Sequence, residues 1–352
     1  MNVQKYVWQH IMCCFLLLLP FLFCGCDKKG GTEPKQEPII LPDGYEERYH
    51  NDMRYGLFIP PTYDANKAYP LVLRLHGSTD TTSWNLGWYN DPVQTEDPVF
   101  VLTPKTLDPS FAWGATWYST HTPDMLNVLE IVELTKQEFN IDTTRIYVHG
   151  SSMGGFGVFS VISKEPGMFA AAVSICGGGD TNNCAMMAGT PLWIFHGSDD
   201  DVVPARMSRN IYQAILDKGG KLVRYTEYPG VKHDSWNNAW DEPTLIPWIL
   251  AQKRGVWHEN PDSVSSINAQ ILSSNQAQVS WQPPVNESSV DKQVWYYKVF
   301  RDNLLIAEID HLQTAYIDTT HLNSGNYSYS ISTVNFFFKE SARSHDEVVS
   351  IP

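Results

Sequence analysis

The sequence has little cysteine, little charge and few basic residues. It has six cysteines in 352 residues, with no C-x-x-C pair and no histidine cluster at ligand spacing, so no metal site is implied. Charged residues make up only 18% against 43% hydrophobic, which excludes long disordered tracts. The 25 Lys and Arg are outnumbered by 39 Asp and Glu, giving a formal net charge of −14. That balance disfavours nucleic acid and anionic lipid surfaces as partners, and the acidity reads as solubility. The apolar run Ile11 to Phe23, after Lys5, is too short for a membrane span and suits the signal peptide expected over residues 1–26.

Phe23-Cys24-Gly25-Cys26 resembles a bacterial lipobox, in which small residues precede a cysteine that becomes the lipidated N-terminus. Cys26 is therefore the expected membrane anchor. The protein is expected to be exported and held at the outer membrane or periplasmic face of the envelope. Residues 27–42 read as a flexible tether. With Cys26 lipidated, Cys176 and Cys184 form the remaining candidate disulfide, and export permits one.

The chain is organised around Ile146-Tyr147-Val148-His149-Gly150-Ser151-Ser152-Met153-Gly154-Gly155. Apolar residues run into Gly150-x-Ser152-x-Gly154, and a small-residue helix start follows, which is the pattern of a nucleophile elbow. A serine on a strained strand-to-helix turn needs neighbours without side chains. The same turn leaves the Met153 N–H free to face a developing oxyanion. Upstream, the strand Leu71-Val72-Leu73-Arg74-Leu75 runs into His76-Gly77-Ser78, where a second oxyanion donor, from Gly77 or Ser78, belongs.

Strand-like runs at Arg54–Ile59, Pro98–Pro104, Ala170–Ile175, Leu192–Phe195 and Leu222–Tyr228 alternate with helical patterns at Asp124–Phe139, Gly154–Ser163 and Ser208–Lys218. The alternation predicts an α/β class with a mainly parallel sheet. The segment holding Trp113, Trp117 and Tyr118 follows a strand, where loops line the ligand crevice. These aromatics, with Trp236, are the candidate substrate-binding residues.

A serine hydroxyl needs a base to take its proton, and the base needs an orienting carboxylate. Ser152 is followed by Asp199-Asp200-Asp201 and then by His233, each after an expected strand, in the chain order Ser, Asp, His. Asp200 is the choice for the orienting role, with Asp199 and Asp201 left to cap a helix or hold the loop. His76 and His196 precede glycines at strand ends and are expected to brace loops. His121 comes before the elbow, and His149 lies within its strand.

Residues 53–250 resemble the esterases related to polyhydroxybutyrate depolymerase and to carbohydrate esterase family one, which includes feruloyl and acetylxylan esterases. The resemblance rests on Tyr69 to Gly77, Asp142 to Val148, Gly150 to Gly155, Ala170 to Gly179, His196-Gly197 to Val203-Pro204, and Gly230 to His233 with Trp236. It implies the α/β-hydrolase fold and no cofactor. It also implies an aspartate four residues after the His-Gly histidine, which falls on Asp200. The loop from Ser78 to Asn90 departs from the glycine-rich run of many relatives.

From Pro261 glycine falls and Ser, Thr, Val, Tyr and Asn dominate. Short alternating runs suit a β-sandwich over residues 263–352, after a catalytic domain at 43–258. The sandwich is similar to a fibronectin type III domain, with Trp281 as the core tryptophan and Tyr327 or Tyr329 at the corner. Asp302-Asn303 reads as a tight turn, and Phe336-Phe337-Phe338 as an exposed loop.

The expected activity is that of a serine esterase acting on acyl or feruloyl groups on a polysaccharide. A prolyl-oligopeptidase-type peptidase is the first rival, although the tether leaves no room for a gating domain. A non-catalytic glycan-binding or adhesion protein is the second, and intact Ser152, Asp200 and His233 argue against it.

Overall fold

The computed structural model describes residues 44–78, 87–89, 91–107, 113–285, 289–320 and 322–352. The expected signal peptide and tether, with Cys26, lie outside the described residues. The chain divides between Leu250 and Ala251 into two compact units. This precedes the composition change at Pro261 because the intervening residues bond within the second unit: Gln252 donates to Phe336 O at 2.8 Å, and Glu259 N donates to Asp291 at 3.0 Å.

The first unit contains β1 (Tyr45–His50), β2 (Met53–Phe58), β3 (Tyr69–Leu75), α1 (Asp91–Glu96), β4 (Phe100–Pro104), α2 (Pro123–Glu138), β5 (Ile141–Ser151), α3 (Met153–Lys164), β6 (Ala171–Ile175), α4 (Cys184–Met187), β7 (Leu192–Gly197), α5 (Arg206–Asp217), β8 (Val223–Tyr228), α6 (Trp236–Trp240) and α7 (Leu245–Ala251). Eight strands form one sheet in the order β1-β2-β4-β3-β5-β6-β7-β8. β1 and β2 pair antiparallel, as do β2 and β4, and the other neighbours are parallel. This is the α/β class with a mainly parallel sheet.

Every residue of β3, β6 and β7 is buried, as a parallel sheet covered on both faces requires. β1 carries no such signal. Its residues are exposed or half-buried, and it is specified by the turn at Asn51-Asp52, where φ is 45° and 62°. Two successive left-handed residues match the twist of a tight hairpin. α3 is buried from Met153 to Ser163, so its apolar character runs all round the helix rather than along one stripe.

The second unit holds β9 (Ser266–Ser273), β10 (Gln276–Gln282), β11 (Tyr296–Arg301), β12 (Leu304–Asp310), β13 (Ala315–Asp318), β14 (Gly325–Val334) and β15 (Glu347–Ile351). They form two antiparallel sheets, β13-β10-β9 and β12-β11-β14-β15. Trp281 is buried with its ring edge-on to Tyr297, inside a core that includes Val299, Tyr329 and Ile331. The Tyr327 hydroxyl bonds back to the Asn323 backbone, and Tyr329 lies in the core. Phe336–Phe338 is not an exposed loop. Phe337 is buried, and Phe336 and Phe338 meet the buried Trp295 edge-on. Among the described residues, no helix is long and apolar enough to cross a membrane.

Candidate active site

Ser152 follows the last residue of β5 and precedes the first residue of α3, with φ 54° and ψ −119°. That is a strained conformation for a residue with a side chain. The turn is close-packed: a Cβ on Gly154 would come within 2.0 Å of Leu75 O. Serine at a helix start ordinarily caps the helix. Here the side chain makes no capping bond, and Ser152 Oγ lies 2.9 Å from His233 Nε2.

His233 reaches the serine because the loops after β7 and β8 are laced together. Ser198 N donates to Tyr228 O at 3.0 Å, Asp199 N to Val231 O at 3.0 Å, and Gly230 N to Ser198 Oγ at 2.8 Å. Contact at Gly197 leaves no room for a side chain, since a Cβ would stand 2.3 Å from Lys232 O. The lacing brings His233 Nδ1 to 2.7 Å from Asp200 Oδ2. The other carboxylate oxygen accepts from Val202 N at 2.9 Å and Val203 N at 2.8 Å.

Burial pushes the Asp200 carboxyl up. Hydrogen bonds from His196 and His233, with the charge of His233, outweigh burial and hold it well below the ordinary carboxylate range. Asp199 and Asp201 are not in this network: Asp199 accepts from the Ser198 hydroxyl, and Asp201 pairs with exposed Lys232 at 3.1 Å. Asp234, beside His233, is exposed.

Met153 occupies the first helical position, so its N–H has no partner inside the helix. Gly77 comes close on the other side: a Cβ there would be 3.7 Å from Ser152 Cβ. His76 O accepts from Trp113 Nε1 at 2.9 Å, and Gly77 O lies 2.7 Å from His76 Nδ1. A trans peptide points its N–H opposite to its carbonyl, so both bonds turn the N–H groups of Gly77 and Ser78 away from these partners.

Trp113 is not a ligand-facing aromatic. It is fully buried, and its indole braces the His76 carbonyl, so size and an N–H donor put it in the core. Trp117 and Tyr118 line a cleft of about 940 Å³ with Asn182 and Asn183, and the lining includes none of Ser152, Asp200 or His233. Trp117 meets Phe156 of α3 edge-on at 5.8 Å. Trp236 meets the His233 ring edge-on at 5.6 Å. One turn later Trp240 packs on His149, which is buried and accepts from Trp88 Nε1 at 3.0 Å. Burial, then the Arg74 charge, hold His149 neutral. His121 pairs with Glu165.

Cys176 and Cys184 are free, which corrects the expected disulfide. Cys184 Sγ faces Ile211 O at 3.8 Å, while Cys176 sits beside Asp200 and His233. The ligand atoms of Cys176, Asp200 and His233 lie within 4.8 Å of one another. As a metal donor set they fit poorly. Burial and the Asp200 charge push the thiol up, away from the thiolate that a metal requires, and both ring nitrogens of His233 already have partners. The sequence reading missed this placement of Cys176, which no local motif signals.

A sequence profile of the prolyl oligopeptidase family matches residues 112–187, which include Ser152 but neither Asp200 nor His233. The bifunctional acetylxylan esterase/xylanase XynS20E of Neocallimastix patriciarum is 29% identical over 38% of this chain and 20% of its own length. The protein named "Probable feruloyl esterase C" of Aspergillus niger is 25% identical over 53% of this chain and 69% of its own. Among solved structures, a thermostable esterase matches with TM-score 0.56 and 32% identity, over 61% of this chain and 64% of that one. The chain thus spans a fifth of one curated relative and about two thirds of another.

Proposed function

From an α/β-hydrolase similar to feruloyl and acetylxylan esterases, we propose a serine carboxylic ester hydrolase, exported and lipid-anchored through Cys26, that removes acyl or feruloyl groups from polysaccharide. One observation carries this reading: Ser152 Oγ, His233 and Asp200 stand in series at 2.9 and 2.7 Å.

His233 Nε2 takes the Ser152 proton as Oγ attacks the ester carbonyl. The Met153 N–H, with the Gly77 or Ser78 N–H, receives the oxyanion. The tetrahedral intermediate collapses, and His233 returns the proton to the leaving alcohol. Water, deprotonated by the same imidazole, then releases the acid and restores the serine. Asp200 holds the ring with Nδ1–H inward and stabilises the imidazolium. Trp236 walls the site beside His233. We read the second unit as a fibronectin type III-like spacer or docking module.

Hydrolysis of p-nitrophenyl acetate, p-nitrophenyl butyrate, methyl ferulate and a prolyl anilide by the wild type and Ser152→Ala tests the reading. Ester turnover should fall about a million-fold in the variant, and the order of acetate and ferulate assigns the acyl class. Preference for the anilide would instead favour a peptidase, the second reading that the prolyl oligopeptidase match supports. A folded wild type inert on every substrate would sink the enzyme reading.

A further inference from the structure

Asp200 has a second imidazole partner. His196, in β7, is wholly buried. Its Nε2 lies 3.1 Å from Asp200 Oδ2 and 2.8 Å from Val203 O. The carboxylate and the carbonyl only accept, so Nε2 carries a hydrogen. On the far side of the ring, Nδ1 is 2.7 Å from Ser208 Oγ, and Ser208 Oγ is 3.0 Å from Gly177 O. Ser208 belongs to α5, and Gly177 follows Cys176 beyond β6.

Two protonation patterns are open to this chain. A neutral ring takes the one Ser208 hydroxyl hydrogen at Nδ1 and leaves Gly177 O without it. An imidazolium donates to Ser208, whose hydroxyl then donates to Gly177 O. Asp200 receives an N–H from His196 in both.

We propose that His196, held by Ser208, is a positioning residue for ester hydrolysis: it fixes the Asp200 carboxylate and divides its charge between two rings. The inference rests on the serine hydrolase reading above. The last torsion of an aspartate is soft. Two backbone N–H groups hold Oδ1, and His196 is the donor that holds Oδ2 when the His233 ring moves during proton transfer. Other titratable or charged groups nearby are Cys176, Asp234, Lys232 paired with Asp201, and Glu227 paired with Arg209. None of them interrupts the chain of bonds.

The sign of the effect does not depend on the protonation pattern. Removing the His196 donor leaves more negative charge facing His233 and stabilises its imidazolium. The acid limb of kcat/KM then moves to higher pH. His196→Leu should lower kcat about tenfold with KM within about twofold, and raise the acid limb by about half a pH unit or more. His196→Gln restores a donor near the Nε2 position and should recover most of the rate and return the limb. Ser208→Ala should act in the same direction and lower kcat about threefold; it carries the test if the leucine variant fails to fold.

A folded His196→Leu protein with wild-type kcat and acid limb would overturn the proposal. So would equal losses in the Leu and Gln variants with the limb unmoved, which would make His196 a loop brace. Titration of the His233 ring by NMR in the same proteins needs no substrate: its midpoint should rise in His196→Leu, and an unmoved midpoint overturns the proposal. A wild type that hydrolyses no ester while that midpoint moves would remove the functional reading and leave the coupling of the two histidines standing.

Discussion

Each unit buries a carboxylate at a crossing of hydrogen bonds, Asp200 in the first and Asp318 in the second, and the two make a controlled comparison. Asp200 and Asp318 have side chains with no exposed surface. Asp200 accepts from two backbone N–H groups and two imidazoles. Asp318 accepts from Thr320 N and Oγ1, from Arg301 Nη1 at 2.6 Å and from the Tyr329 hydroxyl at 2.8 Å. Burial pushes both up, and their hydrogen bonds hold both below the ordinary range. They differ in the partners. Arginine does not give up its proton, and burial, then the bond to Asp318, push the Tyr329 hydroxyl up, so that network is static. His233 can gain and lose a proton, has its side chain 16% exposed, and touches a serine in strained backbone. A buried, saturated carboxylate is therefore no mark of a site by itself. What sets Asp200 apart is its imidazole partner and the serine in strained backbone beyond it.

Between the two carboxylates, the largest effect should come from Asp200→Asn, which keeps size and loses charge. It should lower kcat on the preferred ester about ten-thousand-fold, read by single-turnover kinetics on a protein whose thermal transition is retained. Asp318→Asn should do the reverse: stability lower by about 2 kcal/mol, because a buried charged network loses its anion, and kcat unchanged. Calorimetry with an ester assay on the same preparation separates the two, and a loss of turnover in Asp318→Asn would break the comparison. The pH sign is the same at both sites. A carboxylate with a depressed folded value contributes stability above its unfolded pKa of about 3.9, and that stability is lost as pH falls through the lower folded value. The melting temperature should fall below about pH 4, less steeply in Asp318→Asn than in the wild type.

The elbow was legible because its chemistry is local. A strained serine needs glycines at fixed offsets, and Gly150 and Gly154 stand there. The order Ser152, Asp200, His233 was legible because Ser152 and Asp200 follow strongly apolar strand ends and His233 follows the last expected strand, which is mixed in character. The expected helices at Asp124–Phe139 and Ser208–Lys218 fall within two residues of α2 and α5. What was not legible depends on tertiary neighbours. β1 is polar and half-exposed, so its hydrophobic pattern is silent, and α1 and α6 are too short for a period. Trp113 looks in sequence like any loop aromatic, and only the His76 carbonyl shows why it is buried. Asp318 is a single aspartate after a short apolar run. His196 reads as a loop residue until Ser208, brought from α5, shows what lies behind its ring.

The smallest effect sharpens the comparison most. Tyr329→Phe removes one donor from Asp318, as His196→Leu removes one from Asp200. Three bonds to Asp318 remain, including that of the charged Arg301. The expected cost is therefore about 1 kcal/mol, seen as a lower urea midpoint with an unchanged slope. It should leave kcat, KM and the acid limb where they were, because no proton moves along that network. His196→Leu should move all but KM. If Tyr329→Phe shifted the acid limb, the two carboxylates would be electrostatically coupled, and partner chemistry would no longer separate a static network from a working one.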